Sequence, residues 1–332
     1  MSAPPSELHP YDALTPDLLL DALETTGLRC DGRLLALNSY ENRVYQVGIE
    51  DATPVIAKFY RPGRWSRAAL QEEHDFAWEL VERDIPVVAP QRDVAGRSLH
   101  EHGGFAFAVY PRQGGRWPDL DQREHRVWMG RFLGRLHAVG RTRPFSHRPT
   151  LDVHSFGQTP RDYLLDKGIL PDYLEAAYRS LVDELLQTIT RRFAECGPVR
   201  NIRLHGDCHP GNILWTDNGP HFVDLDDCRM GPAVQDLWML LSGDREEMGL
   251  QLGALLEGYE DFCDFDYHQL SLIEPLRTLR IIHYAGWLAS RADDPAFQQA
   301  FPWFYGPRYW EEHILSLREQ AAALDEPVLS PL

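Results

Sequence analysis

The chain has 332 residues, enough for about two domains at roughly 150 residues each. Its 43% hydrophobic content, with 9 Trp, 13 Tyr and 14 Phe, supplies sizeable cores and excludes a disordered or fibrous chain. A formal net charge of −17, from 33 basic and 50 acidic residues with no concentrated basic run, excludes nucleic acid as an expected partner.

The first stretch, residues 1–10, carries three prolines and Glu7 with no basic start or apolar segment, so no signal peptide is expected. Thr15 as an N-cap, Pro16 at the first helical position and Gly27 as a stop predict a short helix. Residues 33–37, 43–49 and 54–60 read as strands, because Val44, Val47, Ile49, Val55 and Ile56 are β-branched and the joints are rich in Asn, Asp, Ser and Thr. From 67 to 84 the period becomes helical, and Pro86, Pro90 and Gly96 lead out towards a strand at 105–109. Residues 110–115 read as a linker, which divides the chain into a sheet-rich N-terminal lobe, 1–111, and a mainly helical C-terminal lobe, 112–332. Helices are predicted at 121–139, 171–195, 234–242, 246–262 and 267–290. One hairpin, 212–215 with 220–224, interrupts them at Asn218-Gly219. The last residues, 325–332, read as a loose tail. Together these define an α+β protein without internal repeats.

The longest apolar stretch, 237–241, is broken at once by Ser242, Gly243 and Asp244, so no membrane span is expected. Five cysteines without a C-x-x-C pair suggest neither a disulfide framework nor a structural zinc site, which points to a reducing, cytoplasmic setting.

The densest polar constellation is 204–215, closed by 222–227. Gly206, Pro210 and Gly211 exclude a helix there, and the hairpin brings Asn212 and Asp224 together. An Asp five residues before an Asn, then an Asp after a short apolar strand, has the order of a protein-kinase catalytic loop and metal-binding aspartate. Phosphoryl transfer needs a carboxylate near the acceptor hydroxyl, and an amide oxygen with a second carboxylate as hard ligands for Mg²⁺. Asp207 fits the first role; Asn212 and Asp224 fit the second, with Asp224 counted beside Asp207 among the catalytic residues. A hydrolytic metal centre built from His205, Asp207, His209 and Asp224 is the weaker reading, since the histidines do not share a helix face.

Of the 33 basic residues only Lys58 and Lys167 are lysines. Lys58 stands in the apolar strand 55–60, where a kinase places a lysine against the nucleotide phosphates and orients it with a glutamate of the next helix. At 100° per residue Glu73 falls inside the apolar face of helix 67–84 and Glu72 outside it, so Glu73 is the expected partner of Lys58. No P-loop and no G-x-G-x-x-G is present. The connection 38–43 has no glycine, and Ser39 offers a hydroxyl or N–H to phosphate there, with Asn38 and Asn42 suited to left-handed turns.

His205-Gly206-Asp207-x-His209-x-Gly211-Asn212 with Val223-Asp224 resembles the aminoglycoside phosphotransferase and choline kinase branch of the protein-kinase-like superfamily. Residues 37–46, 58–62, 204–215, 222–227, 231–241 and 273–277 are similar in particular to a bacterial serine/threonine protein kinase of that branch. The resemblance implies a bilobal protein-kinase-like fold, with Asp207 as proton acceptor, Asn212 and Asp224 on Mg²⁺, and Ser39 on ATP. It further implies a monomer that phosphorylates a protein hydroxyl in an envelope- or oxidative-stress pathway. Gly206 and Leu225-Asp226 depart from the Arg and Phe-Gly of ordinary protein kinases. Gly206 removes the arginine that would pair with a phosphorylated activation loop. Asp236 reads as a buried brace for the loop, and Asp226 and Asp227 as neighbours without an assigned role. Two alternatives remain: a small-molecule kinase whose aromatic stretch, from Phe297 to Trp310, walls a cationic acceptor, and an ATP-binding pseudokinase. A redox role for Cys208 is a further possibility.

Overall fold

The computed structural model describes residues 10–37, 39, 41–292 and 294–332; Asn38 and Tyr40 of the hairpin connection, and residues 1–9, lie outside the described residues. In chain order the strands are β1 (Cys30–Leu37), β2 (Arg43–Ile49), β3 (Val55–Phe59), β4 (His100–His102), β5 (Phe105–Pro111), β6 (Ile202–Leu204), β7 (Ile213–Thr216), β8 (Gly219–Phe222) and β9 (Arg229–Gly231). The helices are α1 (Pro16–Glu24), α2 (Arg67–Val81), α3 (Arg123–Gly140), α4 (Thr159–Asp166), α5 (Asp172–Cys196), α6 (Val234–Trp238), α7 (Arg245–Tyr259), α8 (Ile273–Ala289), α9 (Pro295–Ala300) and α10 (Pro307–Leu324). They form two compact units, Met1–Trp117 with Gly211–Asp226, and Pro118–Pro210 with Asp227–Leu332.

The first unit is built on an antiparallel sheet in the order β1-β2-β3-β5-β4. Alternation along β3 sends Val55, Ala57 and Phe59 into a core shared with Leu19 and Leu23 of α1. Lys58 therefore falls on the opposite face, paired across β5 with Ala108, which packs against Leu70 of α2. Helix α2 starts at Ser66, whose Oγ accepts from Ala69 N at 3.1 Å, and ends three residues before the predicted boundary at 84. Its buried face includes Glu73, where the helical period places it.

The division is not a single cut at residue 111. The β7–β8 hairpin groups with the first unit because main-chain bonds tie both its edges there. Val88 N donates to Phe222 O at 2.9 Å and Phe222 N to Pro86 O at 2.8 Å, while Arg116 and Trp215 exchange bonds of 3.0 and 2.6 Å.

In the second unit α3 and α7 pack backbone to backbone through glycine: a Cβ on Gly130 would lie 1.9 Å from Leu255 O, and one on Gly258 2.0 Å from Val127 O. Strands β6 and β9 pair beside this layer. Residues 325–332, read as a loose tail, are docked instead. Leu332 N donates to Gly249 O at 3.0 Å, Leu329 is buried, and Arg245 holds Glu326 at 2.9 Å. The aromatic stretch is divided: Phe297, Phe304 and Trp310 are buried, with Phe304 meeting Trp310 edge-to-face at 5.4 Å, while Trp303 and Tyr305 are exposed.

Candidate active site

In the first unit, Val223 N donates to Asn212 O at 3.0 Å, which continues the hairpin register and sets Asp224 one residue past the pair. Asp224 then turns sharply with a left-handed φ of 59°, a conformation that Asp tolerates better than most residues. Its Oδ1 accepts from Lys58 Nζ at 2.8 Å. The same ammonium lies 3.4 Å from Asp226 Oδ1 and 3.8 Å from Glu73 Oε1. Lys58, Glu73 and Asp226 are buried, whereas the Asp224 side chain is 53% exposed. Burial alone would strip the proton from Lys58, but the three carboxylates outweigh it and hold the ammonium well above its ordinary pKa. Tyr60 offers its ring face to the ammonium at 5.3 Å, and its Oη lies 2.7 Å from His74 Nε2 and 3.0 Å from Tyr110 Oη.

Arg64 pairs with Asp226 and also with Glu41, which Arg61 meets at 3.2 Å. The cluster thus sets four carboxylates, Glu41, Glu73, Asp224 and Asp226, against three cations, Lys58, Arg61 and Arg64. Hard carboxylate oxygens, with Asp224 exposed, suit a divalent cation such as Mg²⁺. No group of three or more His, Cys, Asp or Glu is arranged to hold an ion unaided among the described residues. An ion bound by Asp224 and Asn212 would therefore complete its shell from phosphate and water, as Mg²⁺ commonly does. Ser39 is half-buried in an irregular segment between two positions outside the described residues.

In the second unit the loop after β6 is fastened from below. Asp236, fully buried on α6, accepts from His205 N at 2.8 Å and Gly206 N at 2.9 Å. Its Oδ2 is also 3.0 Å from His137 Nε2, and His137 Nδ1 lies 3.0 Å from Tyr259 Oη. Gly206 has a φ of 85° and a Cβ there would sit 2.2 Å from Asp227 O, so the position that carries arginine in ordinary protein kinases admits only glycine here.

Asp207 emerges from this loop. Its Oδ1 is 2.7 Å from Arg280 on α8, and its Oδ2 is 3.5 Å from His209 Nε2. Burial raises the Asp207 pKa, but the His209 hydrogen bond and the Arg280 charge prevail and hold it below the usual carboxylate value, against a smaller opposing effect of Asp227. Asp227 itself is engaged by Arg229 at 2.6 Å.

The structure thus brings Lys58, Glu73 and Asp224 into one cluster, joins Asn212 to it through the hairpin, and sets Asp207 among charged groups of its own unit. His205 is fully buried, with its Nδ1 3.4 Å from Asp207 N, which suits a loop support rather than a hydrolytic metal ligand. Cys208 is also fully buried, and burial pushes its thiol well above the ordinary pKa, so it lacks the thiolate a redox role requires. Arg64, Arg280, His137 and Tyr259 escape the sequence reading, as does the close tie of Asp226 to Lys58.

A chain that braces an H-G-D loop, pairs a strand lysine with a helix glutamate and follows with Asn and Asp on a hairpin has the parts of a phosphotransferase. The profile of the phosphotransferase enzyme family matches residues 33–273, and the chain belongs to that family; it is a kinase acting on a hydroxyl acceptor. It is similar to Stress response kinase A of Escherichia coli (strain K12), 47% identical over 319 residues and 96% of both chains. It is likewise similar to Serine/threonine protein kinase RdoA of Salmonella typhimurium, 45% identical over 321 residues and 96% of both chains. Among solved structures, amicoumacin kinase hAmiN in complex with AMP-PNP, Ca²⁺ and Ami shares the fold with a TM-score of 0.68 at 18% identity, over 89% of this chain and 92% of that one. A microcompartment-associated aminopropanol kinase shares it with a TM-score of 0.66 at 20% identity, over 90% and 98% of the respective chains.

Proposed function

We propose that this chain transfers the γ-phosphate of ATP, presented with Mg²⁺, to a serine or threonine hydroxyl of a protein in a bacterial stress response, acting as a cytoplasmic monomer. The observation that carries the reading is Lys58, buried and ringed by Glu73, Asp224 and Asp226 in a chain with near-full-length likeness to kinases of those names.

Lys58 exchanges part of its contact with Asp224 for a phosphate oxygen, and Glu73 keeps the ammonium aimed. Asn212 and Asp224 hold the metal, which when bound screens the charge of the phosphates. Asp207 accepts a hydrogen bond from the acceptor hydroxyl. A bond then forms from that oxygen to the γ-phosphorus, the bond from phosphorus to the β,γ-bridging oxygen breaks, ADP leaves with the electron pair, and the hydroxyl proton passes to an Asp207 oxygen. Ser39 contributes a contact to ATP. The small-molecule alternative keeps only part of its proposed aromatic wall, because Phe297, Phe304 and Trp310 are core while Trp303 and Tyr305 are exposed.

Purified protein incubated with labelled ATP, Mg²⁺ and a bacterial extract should label protein bands rather than small metabolites. Asp207→Ala should lower that transfer by about a hundredfold or more and leave ATP binding intact. Undiminished transfer by the variant would overturn the assignment, and label confined to small molecules would overturn the protein acceptor.

A further inference from the structure

We propose that Arg280 is a positioning residue of the transfer reaction: its guanidinium clamps Asp207 Oδ1 and so fixes which edge of the carboxylate meets the acceptor hydroxyl. The inference rests on Asp207 being the group that meets the acceptor.

Arg280 stands 73 positions after Asp207 in sequence, yet the two side chains meet at 2.7 Å. The helix that delivers it is anchored: Leu276, Leu279 and Ile282 of α8 are buried, while Arg280 projects from the same helix with a side chain 36% exposed. The loop that delivers Asp207 is fastened separately by Asp236, so both partners come from fixed backbones.

The groups around the pair define what the contact does, and His283 of α8, its pKa pushed down to about 4 by burial and the Arg229 charge, adds no cation near neutrality. His209 approaches Oδ2 at 3.5 Å from the loop itself. Asp227, the nearby acid, is taken by Arg229. Arg280 is thus the shorter contact, acting through its charge, and His209 the longer one, acting through a hydrogen bond. The guanidinium meets the carboxylate through one nitrogen, Nη2, and its charge draws Oδ1 towards α8. The carboxylate is then held with its Oδ2 edge, the His209 side, turned to the acceptor. A hydroxyl entering there meets an oriented, ionised base without the reorganisation a freely rotating carboxylate would need.

The test uses the full-length chain with Mg²⁺ and ATP, following ADP release with water and with dephosphorylated casein as acceptors, for the parent, Arg280→Lys, Arg280→Gln and Asp207→Ala. Arg280→Gln is expected to lower kcat about tenfold or more with the KM for ATP within about twofold, because the clamp acts on the acceptor side. Its kcat profile should lose activity on the acid side at a higher pH than the parent's, since Asp207 has lost a neighbouring cation. Arg280→Lys should recover much of both. A profile and kcat for Arg280→Gln that superimpose on those of the parent would overturn the proposal, as would a parallel fall in kcat and thermal stability that Lys does not rescue. Undiminished ADP release by Asp207→Ala overturns instead the reading of Asp207, so the two failures are distinct.

Discussion

Lys58 meets three carboxylates at 2.8, 3.4 and 3.8 Å, and two of them, Asp226 and Glu73, are themselves buried. Removing one partner of a buried ionic cluster leaves acids without compensation, at a typical cost of about 3–5 kcal/mol. Lys58→Met is therefore expected to lose stability of that order in urea denaturation, and to lose nucleotide binding in a titration with Mg²⁺ and ATP. A stability equal to the parent's would mean that the cluster has no net charge coupling. Residues of this site were unequally visible in the sequence, and the reason is contrast. Lys58 stands out because a lysine-poor chain places it in an apolar strand, and Glu73 because a helical period puts an acid on a greasy face. Arg64 and Arg280 are two among 31 arginines, and nothing local separates a clamp from a solvated side chain. Asp224, Asp226 and Asp227 are likewise near-equivalent as letters, yet Asp224, at a left-handed turn, and Asp226 both meet Lys58 while Asp227 pairs with Arg229.

At the scale of elements, the catalytic loop depends on α6 more than on its own turn residues. The Asp236 carboxylate accepts from two successive backbone N–H groups and faces His137, so all its demands are acceptor demands. Asp236→Asn turns one acceptor into an NH₂ pointing at a donor. It should cost about 2–4 kcal/mol and lower transfer more than ATP binding, measured by urea midpoint and nucleotide titration. An unchanged midpoint would show that water or a shifted loop replaces the brace. Sequence patterning finds most long elements, including the start of α1 at Thr15 and the β7–β8 hairpin at Asn218-Gly219, because caps and turn residues mark them locally. It passes over β6 and β9, three residues each, whose pairing joins positions far apart in the chain. It also passes over α10, whose start at Pro307 lies within a run of closely spaced aromatics that masks the helical period.

For the whole molecule, acid sensitivity follows from buried histidine. Burial pushes the His313 pKa down to about 4, and no hydrogen bond to its Nε2 is found among the described residues. The unfolded chain takes up a proton near pH 6.5 that the folded chain refuses, so stability is lost as pH falls from there towards 4. At pH 5 the deficit is about 2 kcal/mol relative to pH 7. His313→Phe, which keeps a ring against Tyr178 and Trp310, should flatten that part of the difference between urea midpoints at pH 7 and pH 5. An identical difference in both proteins would contradict the assignment.

The placement of β7 and β8 also bears on how the gene can be divided. A fragment that stops at Trp117 lacks Phe222 and Trp215, the strand partners of residues 86–88 and 116, while the remaining fragment carries a hairpin severed from its sheet. Split-protein complementation at that apparent boundary should fail unless residues 211–226 travel with the N-terminal piece, for instance grafted after residue 117. The hairpin is thus a mobile address in the gene but a fixed one in the fold, and domain exchange between relatives must carry it along.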